Sequence, residues 1–201
     1  MKLFYVPHTR ASRPRWILEE LGVPYELVRL DRAKAENLEA QYLAINPTGK
    51  VPALVNGEVT IHESAAIVMY LADKYATQGL CPAVGTEARA RYYQWILYAM
   101  TTLELPVSKV GYHTEMKPEA ERIPAVAAEG RAEFVRAARS AEEQLAKTPF
   151  ILGDSFSAAD VLVCGTLAWA RSLRLLEGLP HAKEYTKRLI ARPAYVKSRA
   201  D

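Results

Sequence analysis

Two short motifs carry groups suited to holding a peptide-like acid. The first is Lys50-Val51-Pro52, at the start of an apolar run, and the second is Glu63-Ser64, at the start of a predicted helix. Proline cannot donate a hydrogen bond within a sheet, so Pro52 marks an edge or a break in its strand. The break leaves the N–H and C=O of Val51 available to a ligand. Because Ser64 offers a hydroxyl at a helix N-terminus, the pattern favours an extended ligand that carries a carboxylate.

These motifs lie in a segment whose predicted elements run in the order β-α-β-α-β-β-α. The strands are expected at residues 3–6, 25–30, 51–55 and 58–61. Asn56-Gly57 lies between the last two and predicts a hairpin with a type I′ turn, which needs positive φ at both positions. Ser64 then begins a helix. The order predicts a sheet that is parallel in its first half and antiparallel at the hairpin, and therefore mixed and four-stranded.

The rest of the chain has the pattern of helices. Residues 78–86 include Gly79, Pro82 and Gly85, which is typical of a linker. From Glu87 onward no strand is predicted, and Pro106 is expected to end the first helix. The periodic segments cover 87–105, 126–145, 157–175 and 182–191. We therefore predict an α/β domain at 1–77, a linker at 78–86 and an all-α domain at 87–201.

Composition and charge argue against several function classes. Half of the 201 residues are hydrophobic, which supports a sizeable core. No apolar run approaches the ~18 residues of a membrane span, and the first residues lack the pattern of a secretory signal. Basic residues alternate with acidic ones in the helical half, so the net charge of +3 does not form a nucleic-acid stripe. The expected location is cytoplasmic, without membrane or nucleic-acid partners.

The two cysteines, Cys81 and Cys164, lie far apart in the sequence. They form neither a CxxC motif nor a group with metal-ligand spacing. In a reducing compartment a structural disulfide is not expected. We therefore predict two free thiols and no metal site.

These features together resemble the glutathione S-transferase family. The resemblance rests on Asn46-Pro47-Thr48-Gly49-Lys50-Val51-Pro52-Ala53-Leu54, on Glu63-Ser64 after it, and on the Ser157-x-x-Asp160 box in the second domain. It covers essentially the whole chain. It implies a thioredoxin-like first domain, a helical second domain, a homodimer and glutathione as the thiol co-substrate. The box itself predicts a helix cap that stabilises the fold rather than a catalytic pair.

The resemblance assigns glutathione-binding roles at the two opening motifs. Pro52 corresponds to the cis-proline of the family, and X–Pro is the bond at which cis costs little. The Val51 backbone is expected to pair with the cysteinyl part of glutathione like an added antiparallel strand. Ser64 and the helix N-terminus are expected to take the γ-glutamyl carboxylate. Glu63 is expected to pair with the neighbouring amino group.

Two further charged residues have a less specific match to the family. Lys50 pairs with the glycyl carboxylate of glutathione, or else is an ordinary loop charge. Glu104 resembles an acidic residue that some classes extend across the dimer to the γ-glutamyl amine. Both are carried forward as candidate glutathione-binding residues.

Catalysis in this family requires a hydrogen-bond donor near the glutathione sulfur, because a stabilised thiolate is the reactive form. Family members take this donor, a Tyr, Ser or Cys, from the end of strand 1 or the first turn of helix 1. This chain has no cysteine there. The candidates, in order of preference, are Thr9, Ser12, Arg10 and Tyr5. Thr9 follows the strand break, whereas Ser12 can cap the helix, Arg10 can be a surface charge and Tyr5 can be a packing residue. The backbone N–H groups of residues 10–12 are a further alternative.

The second substrate is expected between the loop after strand 1 and the helix that begins at Glu87. The candidate pocket residues are Tyr98, Thr101, Tyr112 and His113. After residue 191 no further helix is predicted to cover this region. An open pocket that accepts small hydrophobic electrophiles follows from that expectation.

The sequence therefore predicts an enzyme that conjugates glutathione to alkyl or aryl electrophiles, as in detoxification. One alternative is glutathione-dependent reduction of peroxides or disulfides, which needs the same glutathione site. Another is a non-catalytic member that binds a ligand or a protein. Glu63-Ser64 counts against the last alternative, since a pure scaffold needs no γ-glutamyl site.

Overall fold

The computed structural model describes residues 1–200, which divide into two compact units. One unit comprises Met1–Leu80 together with the chain from Ala191 onward, and the other comprises Cys81–Ile190. From its sequence pattern, the chain from Ala191 onward is predicted to belong to the helical domain. The structure groups it with the first unit, because a short C-terminal helix packs on the first helix of the chain. The predicted fold class, a thioredoxin-like α/β unit followed by a helical unit, is confirmed.

The first unit is built on a mixed four-stranded sheet in the order β2-β1-β3-β4. The strands are β1 (Lys2–Tyr5), β2 (Glu26–Arg29), β3 (Ala53–Asn56) and β4 (Val59–His62). β1 is parallel to β2 and antiparallel to β3, and β3 is antiparallel to β4. The predicted arrangement of a parallel first half and an antiparallel hairpin is confirmed.

The hairpin turn lies one residue later than predicted. Asn56 still belongs to β3 and pairs with Val59, so the two-residue turn is Gly57-Glu58. Gly57 has φ 62°, but neither Asn56 nor Glu58 has positive φ, which excludes the type I′ turn expected over Asn56-Gly57. The Asn56 side chain donates instead to the Tyr70 hydroxyl at 2.8 Å.

Helices cover both faces of this sheet. On one face, α1 (Ser12–Leu21) packs against α3 (Ser64–Lys74). On the other face, a 3₁₀ turn (Glu36–Leu38) leads into the short α2 (Ala40–Leu43), whose Tyr42 packs with Phe4. Side chains of a strand alternate between faces, which is why Phe4 points away from the α1 side. Apolar residues are sparse in residues 33–43, which accounts for a helical segment that is short and irregular.

The short helix α9 (Pro193–Ser198) was not predicted, and it packs against α1. Arg192 reaches both carboxylate oxygens of Glu20, at 2.6 and 2.7 Å. Tyr195 lies edge-to-face on Trp16 with 4.9 Å between ring centroids. Six residues are too few for a periodicity signal, so only these tertiary contacts define the helix.

The second unit is helical throughout. Its helices are α4 (Glu87–Leu97), α5 (Glu104–Gly111), α6 (Pro124–Leu145), α7 (Ala158–Ser172) and α8 (Pro180–Ile190). The prediction that Pro106 ends the first helix is wrong. A π-helical turn at Tyr98–Leu103 joins α4 to α5, which contains Pro106. Pro106 has no N–H to donate within the helix and its ring crowds the preceding turn, which is where the π-helical turn lies. A second π-helical turn, Tyr112–Met116, follows α5.

The capping box at the start of α7 is confirmed. Asp160 is fully buried, and one of its oxygens accepts from the Ser157 N–H and hydroxyl, both at 2.9 Å. The other oxygen accepts from the Ile151 N–H and the Tyr185 hydroxyl, both at 2.8 Å. With both oxygens satisfied, this carboxyl stabilises the second unit.

Both cysteines are free thiols, as predicted, with Cys164 buried and Cys81 partly exposed. Within residues 1–200 no helix combines the length and apolar character needed to cross a membrane.

Candidate active site

Strand register brings the two opening motifs to the same end of the sheet. Ala53 pairs with Phe4 in β1 on one side and with His62 in β4 on the other. In antiparallel pairing, each step back along β3 is one step forward along both neighbours. Val51 and Pro52 are therefore level with the end of β1 and with Glu63-Ser64, although Val51 is 46 positions after Tyr5, the last residue of β1.

Val51 presents its backbone without an internal partner. The Val51–Pro52 peptide bond is cis, and Pro52 is buried. The Val51 side chain packs against the cluster of Tyr42, Leu30 and Ala53. Among the hydrogen bonds of residues 1–200, none involves the N–H or C=O of Val51. An extended ligand that adds to the sheet as a strand needs such a pair of backbone groups.

Ser64 begins α3 at an uncapped helix N-terminus. The preceding Glu63 has φ 71° and ψ 117° and provides no side-chain cap. A non-glycine residue in this region is strained, and such strain concentrates at functional sites. Ser64 is 4% exposed, and within the described chain its hydroxyl has no hydrogen-bond partner. The first N–H groups of a helix favour an anion, so this end of α3 is suited to a carboxylate.

The loop before Val51 is held by side chains that the sequence analysis did not single out. The Tyr42 hydroxyl and the Asn46 amide both donate to the Lys50 carbonyl, at 2.5 and 2.6 Å. Asn37 donates to the Gly49 carbonyl at 2.7 Å. Asn46 belongs to the recognised motif, but its partner depends on how the loop folds. The Lys50 side chain is exposed and has no ion pair with any residue in 1–200.

Thr9 and Ser12 lie in the loop after β1, with their hydroxyl groups already engaged. Thr9 Oγ1 donates to the Val6 carbonyl at 2.6 Å and accepts from the Ala11 N–H at 3.3 Å. Ser12 Oγ donates to the Thr9 carbonyl at 3.1 Å. A hydroxyl has a single proton to donate. Either residue must therefore give up an internal hydrogen bond before it can donate to a sulfur atom.

Tyr5 and Arg10, the other two candidate donors, differ in exposure. Tyr5 is buried, with the Arg15 guanidinium carbon 5.6 Å from its ring centroid. Arg10 is half-buried in the same loop. A cavity of about 10 Å³ lies beside Tyr5, Ser12 and Arg15, enough for a single water molecule. Tyr5 is therefore packed within the first unit, and its role as a donor stays a prediction.

Glu104 lies in the interior of the second unit. It is 5% exposed, and one of its carboxylate oxygens accepts from the Thr166 hydroxyl at 3.4 Å. A carboxylate that extends to a partner subunit has to be on the surface. The position of Glu104 does not match that role.

The four candidate pocket residues have different surroundings. The Tyr98 hydroxyl donates to the Ala137 carbonyl in α6, and burial raises its pKa to about 12. Nδ1 of His113 accepts from the Ile123 N–H at 2.9 Å. Both side chains thus stabilise the second unit. Thr101 and Tyr112 are exposed, although the Thr101 hydroxyl donates to a carbonyl of its own helix at 2.8 Å.

Comparison with known proteins identifies the family. The model of the glutathione S-transferase N-terminal domain matches residues 1–73, and that of the C-terminal domain matches residues 124–188. Glutathione S-transferase GstA of Escherichia coli is 32% identical over 200 residues, covering 96% of this chain and 94% of that protein. The chain belongs to the glutathione S-transferase family. As a glutathione S-transferase, it has the Val51 backbone groups and Ser64 at one end of the sheet of its first unit.

Relatives within the glutathione S-transferase family differ in the activities that their names record. The disulfide-bond oxidoreductase YfcG of Escherichia coli is 28% identical over 200 residues, covering 96% of this chain and 91% of that protein. A glutathione transferase from Burkholderia graminis, solved with two glutathione molecules per subunit, is 25% identical with a TM-score of 0.88. That match covers 98% of this chain and 86% of the other. Family membership therefore does not by itself decide between transfer and reduction.

Proposed function

We propose that this family member is a glutathione transferase that joins the sulfur of glutathione to small hydrophobic electrophiles. The observation that carries the proposal is the unpartnered Val51 backbone beside the Ser64 hydroxyl and the uncapped start of α3. Glutathione offers complementary groups, namely a peptide-like cysteinyl unit and a γ-glutamyl carboxylate. In this arrangement Glu63 takes the γ-glutamyl amine and Lys50 takes the glycyl carboxylate.

The chemical step starts from the glutathione thiol. The thiol releases its proton to solvent, and the sulfur then uses its electron pair to bond to the electrophilic carbon. The leaving group departs with the electrons of the broken bond. A free thiol has a pKa of about 8.5, so a donor near the sulfur increases the reactive fraction at neutral pH. Thr9 remains our first candidate, and its hydroxyl would exchange the Val6 carbonyl for the thiolate.

The remaining features of the proposal concern the electrophile and the assembly. Thr101 and Tyr112, two of the four candidate pocket residues, are exposed. We keep them as the residues proposed to contact a hydrophobic electrophile. We propose that the protein is a homodimer and that it acts in the cytoplasm. Its mass in solution tests the dimeric state.

A binding isotherm with glutathione and a spectrophotometric assay with an aryl halide test the function. We expect binding in the range below millimolar glutathione and conjugation that saturates in both substrates. Absence of binding at millimolar glutathione would refute the proposal. Binding without turnover on any electrophile would favour a non-catalytic ligand-binding member.

A second candidate function is reduction of disulfides or peroxides by glutathione. The observation in its favour is the name of the oxidoreductase relative, together with the two glutathione molecules in the Burkholderia graminis structure. No cysteine lies in residues 5–12, so an enzyme thiol at that position is excluded. Two glutathione thiols would supply two electrons and two protons and become one glutathione disulfide. A mixed-disulfide or hydroperoxide substrate that turns over faster than the aryl halide would favour this activity.

A further inference from the structure

The carbonyl groups directly before Val51 are held from the interior of the first unit. Tyr42 and Asn46, which are 3% and 2% exposed, both donate to the Lys50 carbonyl. Asn37 holds the Gly49 carbonyl in the same way. A carbonyl oxygen accepts at two lone pairs, so the Lys50 carbonyl is fully satisfied.

The planarity of the peptide unit transmits this arrangement to Val51. The Lys50 carbonyl and the Val51 N–H belong to the same peptide group, and in residues 1–200 only the next bond, Val51–Pro52, is cis. In a planar trans peptide the C=O and N–H point in opposite directions. Because the carbonyl is directed inward to two buried donors, the N–H is directed away from them. This geometry accounts for the absence of an internal partner for the Val51 N–H within the described chain.

We propose that Tyr42 and Asn46 are positioning residues for glutathione binding, which hold the Lys50–Val51 peptide so that the Val51 N–H faces the ligand. Neither residue touches glutathione in this arrangement. Their contribution is preorganisation, since a peptide that is already oriented loses less freedom when the ligand binds. The inference rests on the proposed function, because it assumes that glutathione pairs with Val51.

Tyr42→Phe tests this role, with Tyr70→Phe as a matched control. Tyr70 is half-buried in the same unit, and its hydroxyl accepts from Asn56 at 2.8 Å, away from the Lys50 carbonyl. Both variants lose one hydroxyl hydrogen bond, so a similar change in melting temperature is expected. Calorimetric titration with S-methylglutathione then measures the binding affinity alone. Because this ligand has no ionisable thiol, thiol activation does not contribute to the result.

We expect Tyr42→Phe to bind S-methylglutathione about three- to tenfold more weakly than wild type, the equivalent of one neutral hydrogen bond. Tyr70→Phe should bind like wild type. In steady-state assays Tyr42→Phe should raise the KM for glutathione and leave kcat unchanged.

Asn46→Asp provides a second variant if Tyr42→Phe does not fold. It retains the oxygen that accepts from the Thr48 N–H and hydroxyl, but it replaces the donor to the Lys50 carbonyl by an acceptor. A larger loss of affinity than for Tyr42→Phe is expected.

Equal affinity in Tyr42→Phe, Tyr70→Phe and wild type would overturn the positioning role. A fall in kcat at an unchanged KM for glutathione would also overturn it. Failure of the wild-type protein to bind glutathione would instead refute the proposed function, so the two failures are distinguishable.

Discussion

Replacement of Ser64 by alanine tests the glutathione site most directly. The Ser64 hydroxyl has no internal hydrogen bond within residues 1–200, so its removal leaves no protein group unsatisfied. We therefore expect Ser64→Ala to leave the free energy of unfolding nearly unchanged. Its effect should appear only when a ligand carboxylate is bound.

The magnitude follows from the kind of bond that is lost. A hydrogen bond to a charged group contributes about 1.5–3 kcal/mol, and 1.4 kcal/mol is about a tenfold change in Kd. The N–H groups at the start of α3 remain in the variant and keep part of the interaction. We expect glutathione to bind Ser64→Ala about 10- to 30-fold more weakly than wild type.

Isothermal titration with glutathione and chemical denaturation provide the two readouts. Ser157→Ala serves as the opposite control, because its hydroxyl belongs to the capping box of α7. Loss of that cap should cost about 1 kcal/mol of stability without a change in glutathione affinity. Unchanged affinity in Ser64→Ala would refute the carboxylate assignment. A loss of stability in Ser64→Ala equal to that in Ser157→Ala would show that Ser64 is a structural cap instead.

Three further predictions concern the sulfur, the C-terminal helix and the helical unit. Thr9→Val removes the first candidate donor and should raise the pKa of bound glutathione by about one to two units; an unchanged pH profile of kcat/KM for the electrophile, measured at saturating glutathione, would exclude Thr9. Burial would raise the pKa of Glu19, but hydrogen bonds from Lys197 and Tyr25 hold it below 4.5. That stabilisation is present above pH 4.5 and is lost as the pH falls through the folded pKa. In denaturant titrations at several pH values, the free energy of unfolding of Lys197→Met should therefore decrease less on acidification than that of wild type. Gly111→Ala would put Cβ 2.6 Å from the Trp169 ring and should destabilise the protein by about 1–3 kcal/mol in denaturant titrations; an unchanged midpoint would contradict this packing.

Local signals in the sequence predicted most of the fold. Strand and helix patterns, the capping box and the linker composition depend on residues close together in the chain, so the mixed sheet and the helical unit were both expected. The exceptions were places where a tertiary contact outweighs a local preference. Asn56 stays in β3 with its side chain on Tyr70, and the helix continues through Pro106 by widening to a π-helical turn. α9 depends on its contacts with α1.

In the candidate site too, some features are recognisable from the sequence and others depend on the folded conformation. The motif around Val51 and the pair Glu63-Ser64 are recognisable from residue type and spacing, because they use backbone groups and a helix start. The sequence does not show which hydroxyl protons are already engaged. Thr9 and Ser12 donate to carbonyls of their own loop, which depends on the loop conformation.

The sequence by itself therefore determined the family, the two-part fold and the residues that suit the γ-glutamyl and cysteinyl ends of glutathione. Only the tertiary structure decided which side chains are buried, which are exposed and which are already hydrogen-bonded. It buried Glu104 and engaged the Tyr98 hydroxyl with the Ala137 carbonyl, and it directed the Tyr42 and Asn46 donors to the Lys50 carbonyl. The physical reason is that a hydrogen-bond partner depends on the distance and direction of groups that folding brings together, and these cannot be read from residue type.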